Sequence, residues 1–158
     1  MPILVGDKLP EAILRRSGLL GPEETSISSL TAGRKVVIFG LPGAYTSTCS
    51  ASHVPSFMRT KDQFASKGVA EIICVSVNDV FVMHAWGQSA NADHLMMLAD
   101  GNGDFTKAVG LELDGTGFGM GTRSKRFAMI VDDGVVSLLN VDAGALEGSS
   151  AEAILAAL

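Results

Sequence analysis

The chain has 158 residues, enough for one domain with a full hydrophobic core. It is 47% hydrophobic and 18% charged, with a formal net charge of −5. Its densest basic run is only Arg123-Ser124-Lys125-Arg126, so it lacks the clustered cations that neutralise phosphates, which argues against nucleic acid. No apolar stretch is long enough to cross a bilayer, and Met1-Pro2-Ile3-Leu4-Val5-Gly6-Asp7 carries no basic segment followed by an apolar one. The expected compartment is the cytoplasm, with an organellar leader ahead of this sequence left open.

In chain order, Lys35-Val36-Val37-Ile38-Phe39-Gly40 is a short apolar, β-branched run, the pattern of a strand buried on both faces. A helix is expected from about Cys49 to Ser66, with Pro55 kinking or restarting it. Ala70 to Val77 is a second buried strand. Asp79 can cap a helix over Val80 to Ser89, and His94 to Ala99 is a weaker strand. The glycine-rich stretch Gly115 to Gly121 reads as a loop. Phe127 to Val131 and Val135 to Val141, joined through Asp132-Asp133-Gly134, read as a β-hairpin. Ser149-Ser150-Ala151-Glu152 has a capping-box spacing and announces a last helix. Alternating strands and helices predict an α/β fold in one domain over residues 1–158.

Two cysteines are present. In a reducing compartment, catalytic or buried thiols are expected rather than a structural disulfide. Cys49 follows Pro42-Gly43-Ala44-Tyr45-Thr46-Ser47-Thr48, a polar segment between a buried strand and a helix. At a helix N-terminus, unpaired N–H groups and the helix dipole favour thiolate over thiol, and the thiolate is the nucleophile. An inert core cysteine needs no such polar cradle. His53, four residues on, suggests a Cys–His pair or a metal ligand; packing or hydrogen bonding is the preferred reading. No cofactor or metal is expected. The cysteines lack clustered histidines, and the 115–121 glycines precede no convincing helix that could hold a nucleotide phosphate. The position where a Cys-x-x-Cys pair would need its first cysteine is Thr46.

The pattern Pro42-x-x-x-Thr46-x-x-Cys49 resembles the active-site signature of peroxiredoxins. Phe39 to Thr46, Ser52 to Phe57, Val75 to Met83, Arg123 to Met129 and Ser149 to Leu155 resemble the peroxiredoxin-5 branch, which includes the plant type II enzymes. The resemblance implies a thioredoxin-like fold, a central mixed β-sheet flanked by helices, and reduction of hydrogen peroxide and alkyl hydroperoxides. By the same resemblance Cys49 is the peroxidatic nucleophile and passes through a sulfenic acid. Thr46 would bond thiolate and peroxide, Pro42 would shield the pocket, and Arg126 would be the active-site arginine. A homodimer formed through surfaces near the site is also implied. Phe118 and Met120, in the glycine-rich loop, are candidates for the border of the pocket or for a dimer contact.

Cys74, inside the second strand, is either an inert core residue or a resolving thiol, the role proposed for its counterpart in plant type II enzymes. Bridging to Cys49 would need Cα atoms within about 7 Å. Other members of the branch carry a resolving cysteine near the C-terminus, where this chain has Gly148-Ser149-Ser150. That departure favours recycling by glutathione or glutaredoxin over thioredoxin. Two other readings of the same thiol are a redox sensor or chaperone-like binding protein and a Cys49–His53 hydrolase.

Overall fold

A computed structural model describes residues 2–46, 52–92, 95–143 and 146–158. Its centre is strand β3 (Lys35–Leu41), buried along nearly its whole length. β3 pairs in parallel with β4 (Val69–Ser76) and antiparallel with β8 (Arg126–Asp132). Both neighbours carry the near-continuous apolar runs of strands covered on two faces. β5 (Met96–Ala99) extends the parallel part from β4. β9 (Val135–Asp142) closes one side against β8. The other side carries a hairpin of β1 (Ile13–Gly18) and β2 (Gly21–Ser26) that the sequence reading did not anticipate. The full sheet order is β2-β1-β5-β4-β3-β8-β9, mixed as expected.

The β8–β9 hairpin turns through Asp133 (φ 49°) and Gly134 (φ 82°). Two successive left-handed residues define the tight turn whose twist matches the strands, hence the Asp-Gly pair. The Gly115–Gly121 stretch holds one 3-10 turn at Thr116–Phe118 and joins the short antiparallel strands β6 (Glu112–Asp114) and β7 (Thr122–Ser124).

The described helices are α1 (Ile27–Thr31), α2 (Val54–Arg59), α3 (Lys61–Ser66), α4 (Val80–Ser89), α5 (Asp104–Ala108) and α6 (Ala151–Ala156). The long helix expected from Cys49 is divided. Pro55 sits in the first turn of α2, where its missing N–H costs nothing. A second break falls at Thr60, whose hydroxyl donates back to the Ser56 carbonyl at 2.8 Å. Asp79 caps α4 as expected, accepting from the Val82 N–H at 2.8 Å. At α6 the cap is Ser150 rather than Ser149, and Glu152 pairs with Arg59 of α2 instead of reaching back. Ser149 is freed for another role described below.

Apolar side chains on the two faces of the sheet form two clusters. One contains Phe39, Phe57, Phe64, Cys74 and Trp86; the other contains Leu14, Ile38, Phe105, Phe127 and Met129. Gly40 is required by this packing, because a Cβ there would fall within the ring of Phe127. Gly40→Ala is expected to lower unfolding free energy by about 1–3 kcal/mol, measured by urea denaturation. An unchanged midpoint would show that the Phe127 ring yields freely.

Candidate active site

β3, β4 and β5 run parallel, so their carboxyl ends, Leu41, Ser76 and Ala99, lie at one end of the sheet. Ligands of open α/β sheets gather at that end. β8 runs the opposite way, so its first residue, Arg126, starts there too. Pro42 to Thr46 leave β3 at the same place. The topology therefore brings together three of the expected site residues, Pro42, Thr46 and Arg126.

The loop is fastened from several sides. The Ala44 N–H donates to Asn78 Oδ1 at 2.9 Å, and Asn78 Oδ1 also accepts from Ser76 Oγ at 2.6 Å. Arg123 Nη1 donates to the Pro42 carbonyl at 3.3 Å and its Nε to the Met120 carbonyl at 3.0 Å. Gly43 is buried beneath Arg123; a Cβ there would come within 2.9 Å of the guanidinium. Thr46 Oγ1 donates to the Gly43 carbonyl at 2.7 Å. Tyr45 between them has φ 65°, a left-handed conformation unusual for a bulky residue and found where function constrains the backbone.

Asn78 and Arg123 were not singled out as site residues from sequence. Asn78 offered one signal, a polar side chain just past the carboxyl end of a parallel strand. Arg123 offered little, because it belongs to the small second sheet and reaches Pro42 across 81 positions.

Arg126 is almost fully buried, at 6% exposure, so it is not the solvated surface charge that a lone arginine at a strand start usually is. Its Nη1 lies 2.9 Å from His53 Nδ1. His53, in a wide π-type turn just before α2, is fully buried against Phe39 and Phe57, with ring centroids 4.9 and 5.8 Å away. Its Nε2 lies 3.0 Å from the Ser149 carbonyl. A carbonyl only accepts and a guanidinium only donates, so Nε2 carries the proton and Nδ1 accepts. The preferred sequence reading of His53, packing and hydrogen bonding, matches this geometry.

Burial first, and then the Arg126 cation, push the His53 pKa down from 6.5 to about 3; the Ser149 carbonyl and the Asp142 charge oppose them. The unfolded chain therefore binds a proton at this ring between pH 6.5 and about 3 that the folded chain does not. Stability from this group is intact above pH 6.5 and is lost as pH falls toward the folded value. The expected slope is about 1.4 kcal/mol per pH unit near pH 5. Urea denaturation from pH 7 to 4 checks it: His53→Gln should flatten the slope, and equal slopes would contradict the assignment.

Cys49 lies outside the described residues, and so does the expected start of its helix. Cys74 is fully buried in β4, between Phe39 of β3 and Met97 of β5 in the strand register. Among the described residues no three His, Cys, Asp or Glu side chains are grouped to hold a metal ion. No described helix is long and apolar enough to cross a membrane. A concavity of about 620 Å³, bordered by Met83, His84, Gln88, Met96 and Met97, lies toward the amino ends of β4 and β5. It includes none of Pro42, Thr46, Arg126 or His53. The polar loop and the buried Arg126 lie at the opposite end of the sheet.

The parallel core, the appended β8–β9 hairpin and a polar loop after β3 define a thioredoxin-like oxidoreductase fold. The structure of reduced Prx3 from Vibrio vulnificus in complex with hydrogen peroxide matches with a TM-score of 0.95 and 51% identity, covering 98% of each chain. Peroxiredoxin-2B of Arabidopsis thaliana is 48% identical over 160 residues, spanning 99% of both chains. The chloroplastic peroxiredoxin-2E of the same plant is 47% identical over 165 residues, which covers 99% of this chain and 69% of that one. The redoxin family model matches residues 4–155. The chain belongs to the redoxin family and, within it, to the peroxiredoxins of the type II, peroxiredoxin-5-like branch. It is a thiol peroxidase, an oxidoreductase.

Proposed function

We propose that Cys49 is the peroxidatic thiol, that it passes through a sulfenic acid, and that glutathione or glutaredoxin recycles it. The observation that carries this reading is the buried Arg126 at the carboxyl end of β3, beside the loop that leads to Cys49 in sequence. A permanent cation held in a poorly solvated place favours thiolate and stabilises charge moving onto the departing oxygen. The Cys49 thiolate attacks the near oxygen of the peroxide. An S–O bond forms as the O–O bond breaks, and sulfur loses two electrons. The distal oxygen leaves as water or alcohol after taking a proton.

Thr46 supports orientation of the substrate. With its own proton given to Gly43, its oxygen presents lone pairs that accept from the hydroperoxide O–H. To donate to the thiolate instead, the hydroxyl would rotate away from Gly43. Pro42, half-buried and tied through its carbonyl to Arg123, is proposed to wall the pocket.

Recycling then takes two thiols. The first condenses with the sulfenic acid, releasing water and leaving a mixed disulfide; the second displaces Cys49 thiolate and leaves as the oxidised disulfide. Cys74 is proposed to be a bystander, since a fully buried sulfur in the middle strand of a sheet reaches another cysteine only after local unfolding. Cys74→Ser is expected to retain turnover within about threefold using glutathione and glutaredoxin. Comparing glutaredoxin and thioredoxin as donors to both proteins tests the reading. Loss of all turnover in a folded Cys74→Ser protein, or turnover with thioredoxin alone, would overturn it.

The exposed apolar side chains Tyr45, Phe81 and Phe118 flank this end of the sheet, which supports a homodimer formed around the site. The cytoplasm is the proposed compartment.

A further inference from the structure

Arg126 and Asp142 are direct cross-strand partners in the β8–β9 register, yet they serve different parts of one hydrogen-bonded chain. Asp142 gathers the turn ahead of α6. Its Oδ2 accepts from the Glu147 N–H at 2.9 Å, the Ser149 N–H at 3.0 Å and Ser149 Oγ at 2.5 Å, and its Oδ1 accepts from the Gly148 N–H at 3.0 Å. Asn140 Nδ2 adds a bond to the Gly148 carbonyl at 2.8 Å. So fastened, the buried Ser149 aims its carbonyl at His53 Nε2, and His53 Nδ1 meets Arg126.

The order of donors and acceptors along this path matters. An imidazole protonated at Nδ1 would set one donor against another at Arg126. It would also leave the Ser149 carbonyl facing a lone pair. Both are costly in a buried site, so the turn selects the tautomer.

We infer that Asp142 and Ser149 act through His53 as positioning residues for Arg126, by holding the imidazole in the one tautomer whose Nδ1 accepts from the guanidinium. The inference rests on the reading of Arg126 as the residue that serves the thiolate. It adds that the C-terminal turn, far from Cys49 in sequence, sets how Arg126 is presented. Burial of the ring keeps it neutral through the working pH range, so the acceptor is permanent.

Two substitutions separate acceptor from shape. In His53→Asn the amide oxygen takes the place of Nδ1 and still accepts from Arg126. In His53→Gln the amide reaches the place of Nε2, and the acceptor at Nδ1 is lost. The readout is the second-order rate constant for hydrogen peroxide under single-turnover conditions, with the KM for the thiol donor measured alongside. His53→Asn is expected to stay within about threefold of wild type and His53→Gln to fall roughly tenfold, the loss of one charge-assisted bond at a buried cation. The KM for the donor should not move.

Placed on an Arg126→Gln background, the two variants should become equal, because a residue acting through another has no effect once that one is gone. Equal losses in both variants, no loss in either, or the same difference persisting without Arg126 would overturn the inference. If Arg126→Gln alone leaves the rate unchanged, the reading of Arg126 fails, and this inference with it, while Cys49-dependent turnover would stand. A second variant reads the tautomer itself. Nitrogen-15 NMR at pH 7 should show His53 protonated at Nε2 in wild type and a mixture of tautomers in Asp142→Asn. A single unchanged tautomer in that variant would remove Asp142 and Ser149 from the account.

Discussion

Cys49→Ser is expected to lower peroxide turnover by at least about 10³-fold with every thiol donor, leaving a folded protein. Serine nearly matches cysteine in size, so a shift in melting temperature of no more than about 3 °C is expected. Chemically the two differ greatly. A thiolate is accessible near neutral pH, whereas a serine alkoxide is not, and sulfur alone can accept the peroxide oxygen and later return it as water. Substantial turnover in the serine variant would move the chemistry to another group.

The second large effect is expected at Arg126. Arg126→Gln keeps a polar side chain of similar reach but removes the cation. The rate constant for hydrogen peroxide is expected to fall by roughly 10²–10³-fold, the usual consequence of removing one preorganised charge stabiliser. The pH profile of Cys49 alkylation should move to higher pH at the same time, because on the proposed reading Arg126 is the cation that favours the thiolate. Arg126→Lys is expected to recover only part of the rate. A lysine keeps the charge but cannot bridge His53 and a second acceptor with the planar fork of a guanidinium. A fall in rate with no change in the alkylation profile would restrict Arg126 to the transition state.

The strands that build the site end were plain in sequence for a physical reason. β3 and β4 are covered on both faces, so their apolar runs are nearly unbroken. The β8–β9 turn was plain because only residues tolerant of positive φ fit it, and Asp133-Gly134 are such a pair. The β1–β2 hairpin carried no comparable signal. Its strands are largely polar and bury only Leu14, and its tip is Leu19-Leu20, both fully exposed. α1 and α5 span only five residues each, too short for a helical period to show.

The site divides in the same way. Pro42, Thr46 and Cys49 sit in one local motif, and a local motif is what sequence displays. The pairing of His53 with Arg126 joins residues 73 apart, and the carbonyl of Ser149 lies 96 from His53. Spacing along the chain holds no trace of such contacts; the antiparallel return of β8 and β9 creates them.

The most direct test is to mix the fully reduced protein with one equivalent of hydrogen peroxide, without any thiol donor, and to locate the oxidation by mass spectrometry after trapping with a sulfenic-acid reagent. Rapid consumption of the peroxide and a single trapped sulfenic acid on the Cys49 peptide are expected, with Cys74 unmodified. Peroxide left unconsumed, or oxidation that begins at Cys74, would contradict it.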